Sequence, residues 1–320
     1  MKKQNLGNSS LSVAPLAFGG NVLGWTAPEP VAFDLLDAFF DAGFNLIDTA
    51  NVYSAWVPGH SGGESETVIG NWLQRGHVAR DDVVIVTKVG ISMEDSFNMD
   101  KASLKKADIL RHAEASLKRL KTDHIDLYLS HIDDGKTPFE ETLSAYEELI
   151  MAGKVRYIGA SNHSKERLAA ALKASADNSM PSYVALQPHY SLYHREDYEG
   201  ELQDFCVANN IGVFTYFSLA NGFLTGKYRS EADLEGSSRG HHVQNMLNDR
   251  GFRILAALDA VAAELGAKQS QVALAWLIAQ PGVVAPIASA TSLIQLEEIM
   301  GCADLELSSD QLQRLTDSGN

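Results

Sequence analysis

A chain of 320 residues, 45% of them hydrophobic and 21% charged, suits one large domain and is too ordinary in composition for a disordered chain. Its formal net charge of −15 argues against nucleic acid as a partner, because neutralising phosphates needs a Lys/Arg-rich face. No apolar run approaches the roughly 20 residues of a membrane span, and Met1–Leu6 lacks the apolar stretch of a signal peptide. The two distant cysteines, Cys206 and Cys302, exclude a disulfide framework. A cytoplasmic protein is expected.

In chain order, two short runs flank a turn-forming cluster around Asn8 and predict a hairpin. Short β-branched runs then recur. Strands are expected at Leu16–Phe18, Phe44–Asp48, Val83–Thr87, Ile125–Leu129, Val155–Ala160, Tyr183–Gln187, Ile211–Tyr216 and Val283–Ile287. Amphipathic stretches lie between them. Leu110, Ala113, Leu117 and Leu120 share one helix face, and so do Ile254, Leu255, Leu258, Val261 and Leu265 before Gly266. Thr137-Pro138-Phe139-Glu140 reads as an N-cap, a proline at the first helical position and a capping-box Glu, with Gly153 as the stop. Strands alternating with helices mean parallel βαβ units. Eight of them predict an α/β fold: one (β/α)8 TIM barrel domain over residues 1–320, its bottom closed by the N-terminal hairpin. Pro286 fits only near the C-terminal end of the last strand. Residues 54–63 and the polar stretch 228–250 read as loops, candidate lids over a site.

In such a barrel the chemistry sits at the C-terminal strand ends. Asp48 ends the second expected strand, Tyr53 follows it, Lys88 comes just after the third and His131 just after the fourth. A carbonyl that takes up a hydride needs a proton for its oxygen. Tyr53 can supply one, Lys88 can lower the phenol's pKa, Asp48 can hold Lys88, and His131 can hydrogen-bond the oxygen. Singly, each has a plainer reading. Asp48 reads as a cap, His131 as a core histidine, Tyr53 as packing, and Lys88 as a solvated charge or the Schiff-base lysine of an aldolase. His163, His189 and His194 lack metal-ligand spacing, so no metal is expected. Gly19-Gly20-Asn21-Val22-Leu23-Gly24 lacks the GxGxxG spacing and reads as a loop allowing close approach at the mouth.

Gly43–Tyr53 (GFNLIDTANVY), the run Ser116–His131, Gly159-Ala160-Ser161-Asn162, Gln187-Pro188 and Gly222–Tyr228 (GFLTGKY) resemble the aldo-keto reductase superfamily, in its bacterial branch similar to potassium-channel β subunits. The resemblance implies an NADP(H)-dependent oxidoreductase that reduces an aldehyde or ketone, with a small-molecule carbonyl as partner and no nucleic acid or membrane. It implies Tyr53 as general acid/base, Asp48 and Lys88 as its tuning pair and His131 as substrate orienter. Ser161, Asn162 and Gln187 would hold the nicotinamide carboxamide, and Tyr216 would stack on its ring. Phe217, Ser218, Leu219, Asn221, Gly222, Thr225, Gly226 and Lys227 would lie along the pyrophosphate, with Gly20 and Asn21 nearby.

Where many members carry an arginine for the 2′-phosphate, this sequence has Thr291 and Gln295. Ser289, Thr291 and helix amides remain as phosphate ligands, Glu298 as an adenine contact, and NAD(H) as an alternative cofactor. Trp25 and Trp56, together with Val52 and Tyr190, are candidate substrate-pocket walls. A redox-sensing regulatory subunit is the non-enzymatic alternative.

Overall fold

The computed structural model describes residues 1–91, 101–236 and 240–320. A two-stranded antiparallel hairpin, β1 (Gln4–Asn5) and β2 (Ser12–Val13), precedes a closed parallel barrel. The barrel strands are β3 (Ala17–Gly19), β4 (Leu46–Asp48), β5 (Val84–Val89), β6 (Ile125–Ser130), β7 (Val155–Ser161), β8 (Tyr183–Gln187), β9 (Gly212–Thr215) and β10 (Val283–Ala288). Each pairs with its sequence neighbour, and β10 closes onto β3. All eight expected strands are present, with ends moved by one or two residues where they differ. Pro286 pairs opposite Thr215 near the end of β10, where the lost amide donor is tolerated.

Helices α1 (Glu29–Asp41), α2 (Glu64–Gln74), α3 (Lys106–Leu120), α4 (Phe139–Met151), α5 (Lys165–Asn178) and α6 (Glu201–Ala208) follow successive strands. After β9 come the short α7 (Gly240–Val243), then α8 (Asp249–Leu265) and α9 (Gln269–Ile278). Finally α10 (Leu293–Met300) and α11 (Ser309–Ser318) follow β10. The expected stripes are buried on α3 and α8, apart from Leu110 and Leu265, which are only partly covered. Gly266 caps α8 in the left-handed conformation. No described helix is long and apolar enough to cross a membrane.

Two expectations about local structure fail. Helix α4 begins one residue later than the capping-box reading requires, with Pro138 at the N-cap and no side-chain cap. The Thr137 hydroxyl instead donates to Asp134, whose carboxylate also collects the Thr137 amide. An Asx-type turn has outcompeted the cap. The stretch 228–250 is not an unbroken loop either. It holds a helical turn, Glu231–Leu234, capped by Ser230 and Asp233, followed by α7, and it buries Val243 and Met246. Its residues 237–239 lie outside the described residues.

Side-chain alternation divides the strands into two packed surfaces. Leu46, Val84, Val86, Leu127, Leu129 and Phe214 fill the barrel interior, while Ile47, Ile85, Val89, Tyr128 and Val213 pack outward against the helices. Leu6, Leu11 and Val13 from the hairpin belong to the interior cluster, so the hairpin plugs one end. The plug is close-fitting at Gly7, whose φ is 55° and where an added Cβ would lie 2.2 Å from the Val184 carbonyl oxygen. Gly7→Ala is therefore expected to destabilise the fold by at least about 2 kcal/mol. A urea midpoint unchanged from wild type would contradict that seating of the hairpin.

Candidate active site

Alternation also aims the polar strand ends. Asp48 continues the inward set of Leu46, Lys88 that of Val84 and Val86, and His131 that of Leu127 and Leu129. The parallel register puts Asp48 opposite Val86 and Lys88 opposite Leu129. The four residues expected from the sequence therefore meet inside one mouth.

Asp48 is buried, and its two carboxylate oxygens divide their partners. Oδ1 accepts from Lys88 Nζ at 2.7 Å and from Gln187 Nε2 at 2.7 Å, while Oδ2 accepts from the Tyr53 hydroxyl at 2.9 Å. Lys88 Nζ also donates to the Thr49 carbonyl at 2.8 Å and to the Tyr53 oxygen at 2.8 Å, so its three N–H groups all have acceptors. Burial pulls Lys88 below the ordinary lysine value, against the opposing charges of Asp48 and Glu66. Glu66 is itself buried behind the strand, where it accepts from Thr87 at 2.6 Å and from Arg119 at 2.6 Å.

The expected lowering of the phenol by Lys88 does not hold. Burial first, and the Asp48 charge second, raise Tyr53 well above the ordinary tyrosine value. The ammonium's field is offset by the carboxylate beside it, and that same carboxylate accepts the phenol's proton in a hydrogen bond. Tyr53 therefore keeps its proton at neutral pH. Burial, and after it the Lys88 charge, holds His131 well below the ordinary histidine value. It is a neutral imidazole, with Nδ1 buried and unpartnered.

Aromatic rings line the approach to Tyr53. Trp56 lies edge-on to Tyr53 at 6.0 Å between centroids, Trp25 edge-on to Trp56 at 5.9 Å, and His131 lies 6.3 Å from Tyr53. Trp56, within the loop 54–63, is 38% exposed and Trp25 half-buried, so both can meet an apolar ligand. Val52 packs with Ala50 and Ile91 beside Tyr53. Tyr190 does not join this wall. It is fully buried against Tyr198 and Trp276, with its hydroxyl on Glu199.

Beyond the four, the remaining expected residues form a path across the mouth. Ser161 Oγ donates to the Gln187 carbonyl at 2.8 Å. Asn162, at φ 53°, donates to the His131 carbonyl at 2.9 Å and accepts from the Tyr216 hydroxyl at 2.7 Å. One face of Tyr216 stacks on His189, 5.2 Å away with 17° between the planes, and His194 packs against His189 in turn. Phe217 is exposed at φ 52°. Left-handed backbone recurs at Ala220, Asn221 and Gly222, and each such non-glycine position costs free energy that its surroundings must offset.

Ser218 departs from its expected place along the pyrophosphate. Its hydroxyl is buried between strands, donating to the Thr215 carbonyl and accepting from the Ile287 amide. Leu219 is half-buried, and the Thr225 hydroxyl donates to the Gly222 carbonyl at 2.8 Å. The exposed Lys227 folds back over the loop: a Cβ on Gly222 would lie 3.4 Å from its Nζ. Gly226 supplies its carbonyl to Arg229, which also clasps Asp259 at 2.7 and 2.9 Å. Ser289 Oγ donates to Asn21 at 2.6 Å, close over Gly19. Gln295 Oε1 accepts from both the amide and the hydroxyl of Thr291. Glu298 accepts from Ser270, tying α10 to α9.

Sequence reasoning passed over three contributors. They are the Thr49 carbonyl, the Glu66–Arg119 pair behind Lys88, and His189 beneath Tyr216. Inward parity singles out none of them. Among the described residues, no group of three or more His, Cys, Asp or Glu side chains could hold a metal ion.

The buried charges set a stability test. Lys88→Met leaves Asp48 a buried carboxylate without its cation, and is expected to cost about 3–5 kcal/mol. Tyr53→Phe removes only a hydroxyl, at about 1–2 kcal/mol. Equal urea midpoints for the two variants would refute this ranking.

Comparison with known proteins agrees with this geometry. The aldo/keto reductase family matches residues 15–320. The chain is 34% identical to the Bacillus subtilis protein named uncharacterized oxidoreductase YrpG, over 99% of this chain and 95% of that one. It is 30% identical to aldo-keto reductase AMT2 of Alternaria alternata, over 98% and 90%. It is also 32% identical to a probable voltage-gated potassium channel subunit beta of Arabidopsis thaliana, over 95% and 92%. With a closed eight-stranded barrel, a buried Asp–Lys–Tyr cluster at its mouth and these relatives along its length, the chain belongs to the aldo/keto reductase family and is an oxidoreductase of that family.

Proposed function

We propose that the protein reduces an aldehyde or ketone to an alcohol with NADP(H), Tyr53 acting as the general acid. The observation that carries this reading is the Tyr53 phenol, which is held protonated while hydrogen-bonded to both Asp48 and Lys88 at the mouth of the barrel. A dinucleotide suits the residues around it. Ser161, Asn162 and Gln187 supply the mixed donors and acceptors that a carboxamide needs, Tyr216 offers an aromatic ring, and Lys227 offers an exposed cation at the strained loop. When bound, the nicotinamide supplies the hydride.

The chain's own groups handle the proton. As the carbonyl carbon gains hydride, its oxygen becomes basic and takes the proton from Tyr53 Oη. Lys88 then stabilises the phenolate left behind, and Asp48 keeps Lys88 charged and in place. His131, being neutral, donates its single ring N–H to the same oxygen without competing as an acid. Trp25 and Trp56 exclude water and cover the substrate's apolar body. A Schiff-base role for Lys88 would require an unprotonated amine, whereas all three N–H groups here are engaged. Borohydride added with a carbonyl substrate should therefore leave Lys88 unlabelled.

Two further measurements test the reading. Tyr53→Phe should bind NADPH as the wild type does, by quenching of protein fluorescence, and lose about 10²- to 10⁴-fold in aldehyde reduction. Full activity in that variant would end the assignment, and cofactor binding without turnover by the wild type would favour a regulatory subunit. The reduction rate should also show no inflection near the ordinary histidine value of about 6.5 and should fall only in alkaline solution, as Tyr53 loses its proton.

For the cofactor, hydroxyls at Ser289 and Thr291 replace an arginine. The preference for NADPH over NADH is expected to be under about tenfold, or 1.4 kcal/mol. A hundredfold preference in a fluorescence titration would place a charged 2′-phosphate ligand elsewhere.

A further inference from the structure

Gln187 stands at the end of β8, across the barrel from β4, and its side chain is 2% exposed. The carboxamide donates from Nε2 to Asp48 Oδ1 at 2.7 Å, a contact spanning 139 residues of sequence. Its orientation is settled by the partner, since the flipped amide would set a carbonyl oxygen against a carboxylate. The residue is also fixed from behind, because its main-chain oxygen accepts from Ser161 Oγ.

We infer that Gln187 is a positioning residue for proton donation: by holding Asp48 Oδ1 together with Lys88, it sets how strongly Oδ2 grips the Tyr53 hydroxyl. This rests on the reductase reading above and assigns the glutamine a task beyond any contact with cofactor.

The physical reason is charge sharing on one carboxylate. Two donors on Oδ1, an ammonium and an amide, draw negative charge away from Oδ2. If the amide is removed, more of the charge faces Tyr53, which then yields its proton less readily. The charged and titratable groups that bear on this phenol are Asp48, Lys88, Tyr216 and His131, with Glu66 acting on Lys88 from behind the strand. The other amide atom, Oε1, remains an acceptor, so a bound carboxamide and the Asp48 carboxylate can be held by one side chain at the same time.

The test uses the full chain, benzaldehyde and butanal, and NADPH varied up to saturation. Gln187→Met keeps the side-chain length and removes the donor. It should lower kcat about tenfold at neutral pH and move the alkaline limb of the kcat profile upward by about half a pH unit or more. Gln187→Glu should be slower still at neutral pH, from two facing carboxylates, and should regain activity as the pH falls and its carboxyl group becomes able to donate. A Gln187→Met enzyme with wild-type kcat and pH profile, defective only in the KM for NADPH, would overturn the inference and leave Gln187 a cofactor contact alone.

If Gln187→Met does not fold, judged by circular dichroism, Gln187→Glu decides. Acid recovery relative to wild type supports the positioning role, and a parallel profile refutes it. A wild type that binds NADPH but turns over neither aldehyde would instead bring down the reductase reading, and this inference with it.

Discussion

A carboxylate taken out of water must be paired, and in this protein the pairing of Asp48 organises the mouth of the barrel. A buried ion deprived of its partners costs several kcal/mol. The chain meets that demand with an ammonium from β5, a phenol from the loop after β4 and an amide from β8. These three groups come from the near and far walls of the barrel. The same contacts that make the buried charge tolerable also aim Tyr53 and Lys88 at one point. Stability and chemistry are coupled here, because loosening any partner of Asp48 changes both the cost of its burial and the acidity of its neighbours.

How much of this is legible in the sequence follows from side-chain parity. A strand ending in an apolar-X-polar pattern sends its polar residue inward with the residue two before it. Leu46 and Asp48, Val86 and Lys88, and Leu129 and His131 obey that rule, as do Phe214 and Tyr216. Strand positions and the meeting of Asp48, Tyr53 and Lys88 at the mouth were therefore readable. What failed lay where local polar groups had competing partners. Thr137 turned to Asp134 in preference to capping α4, and Ser218 bridged β9 to β10 in preference to facing a ligand. Tyr190 sits past the end of β8, where strand parity no longer applies, and it went to the core. The bond from Gln187 to Asp48 depends on barrel closure, which no local pattern encodes.

The run Ser116–His131 shows how one motif carries two kinds of constraint. Its last residue faces the mouth, whereas Asp126 does structural service: it accepts from Arg80, from Arg156 and from the Ile85 amide. Arg119 in the same run neutralises the buried Glu66 between α2 and α3. Resemblance over such a stretch therefore reports the fold as much as the reaction. Only the parity of each residue, and the end of the strand on which it stands, separates the two.

That separation extends to the loop after β9. Its ends are fixed, by the buried Ser218 hydroxyl on one side and by Arg229, clamped to Asp259 and Gly226, on the other. Between them the backbone is left-handed at Ala220, Asn221 and Gly222. Strain of this kind persists only when its surroundings over-determine it, and here both anchors are structural, not catalytic. The segment proposed to bind the nucleotide is thus held independently of the Asp48 network. On the proposed reading, affinity for the cofactor and acidity of the Tyr53 phenol can then vary separately, and among the described residues Asn162 bridges the two regions, between Tyr216 and the His131 carbonyl.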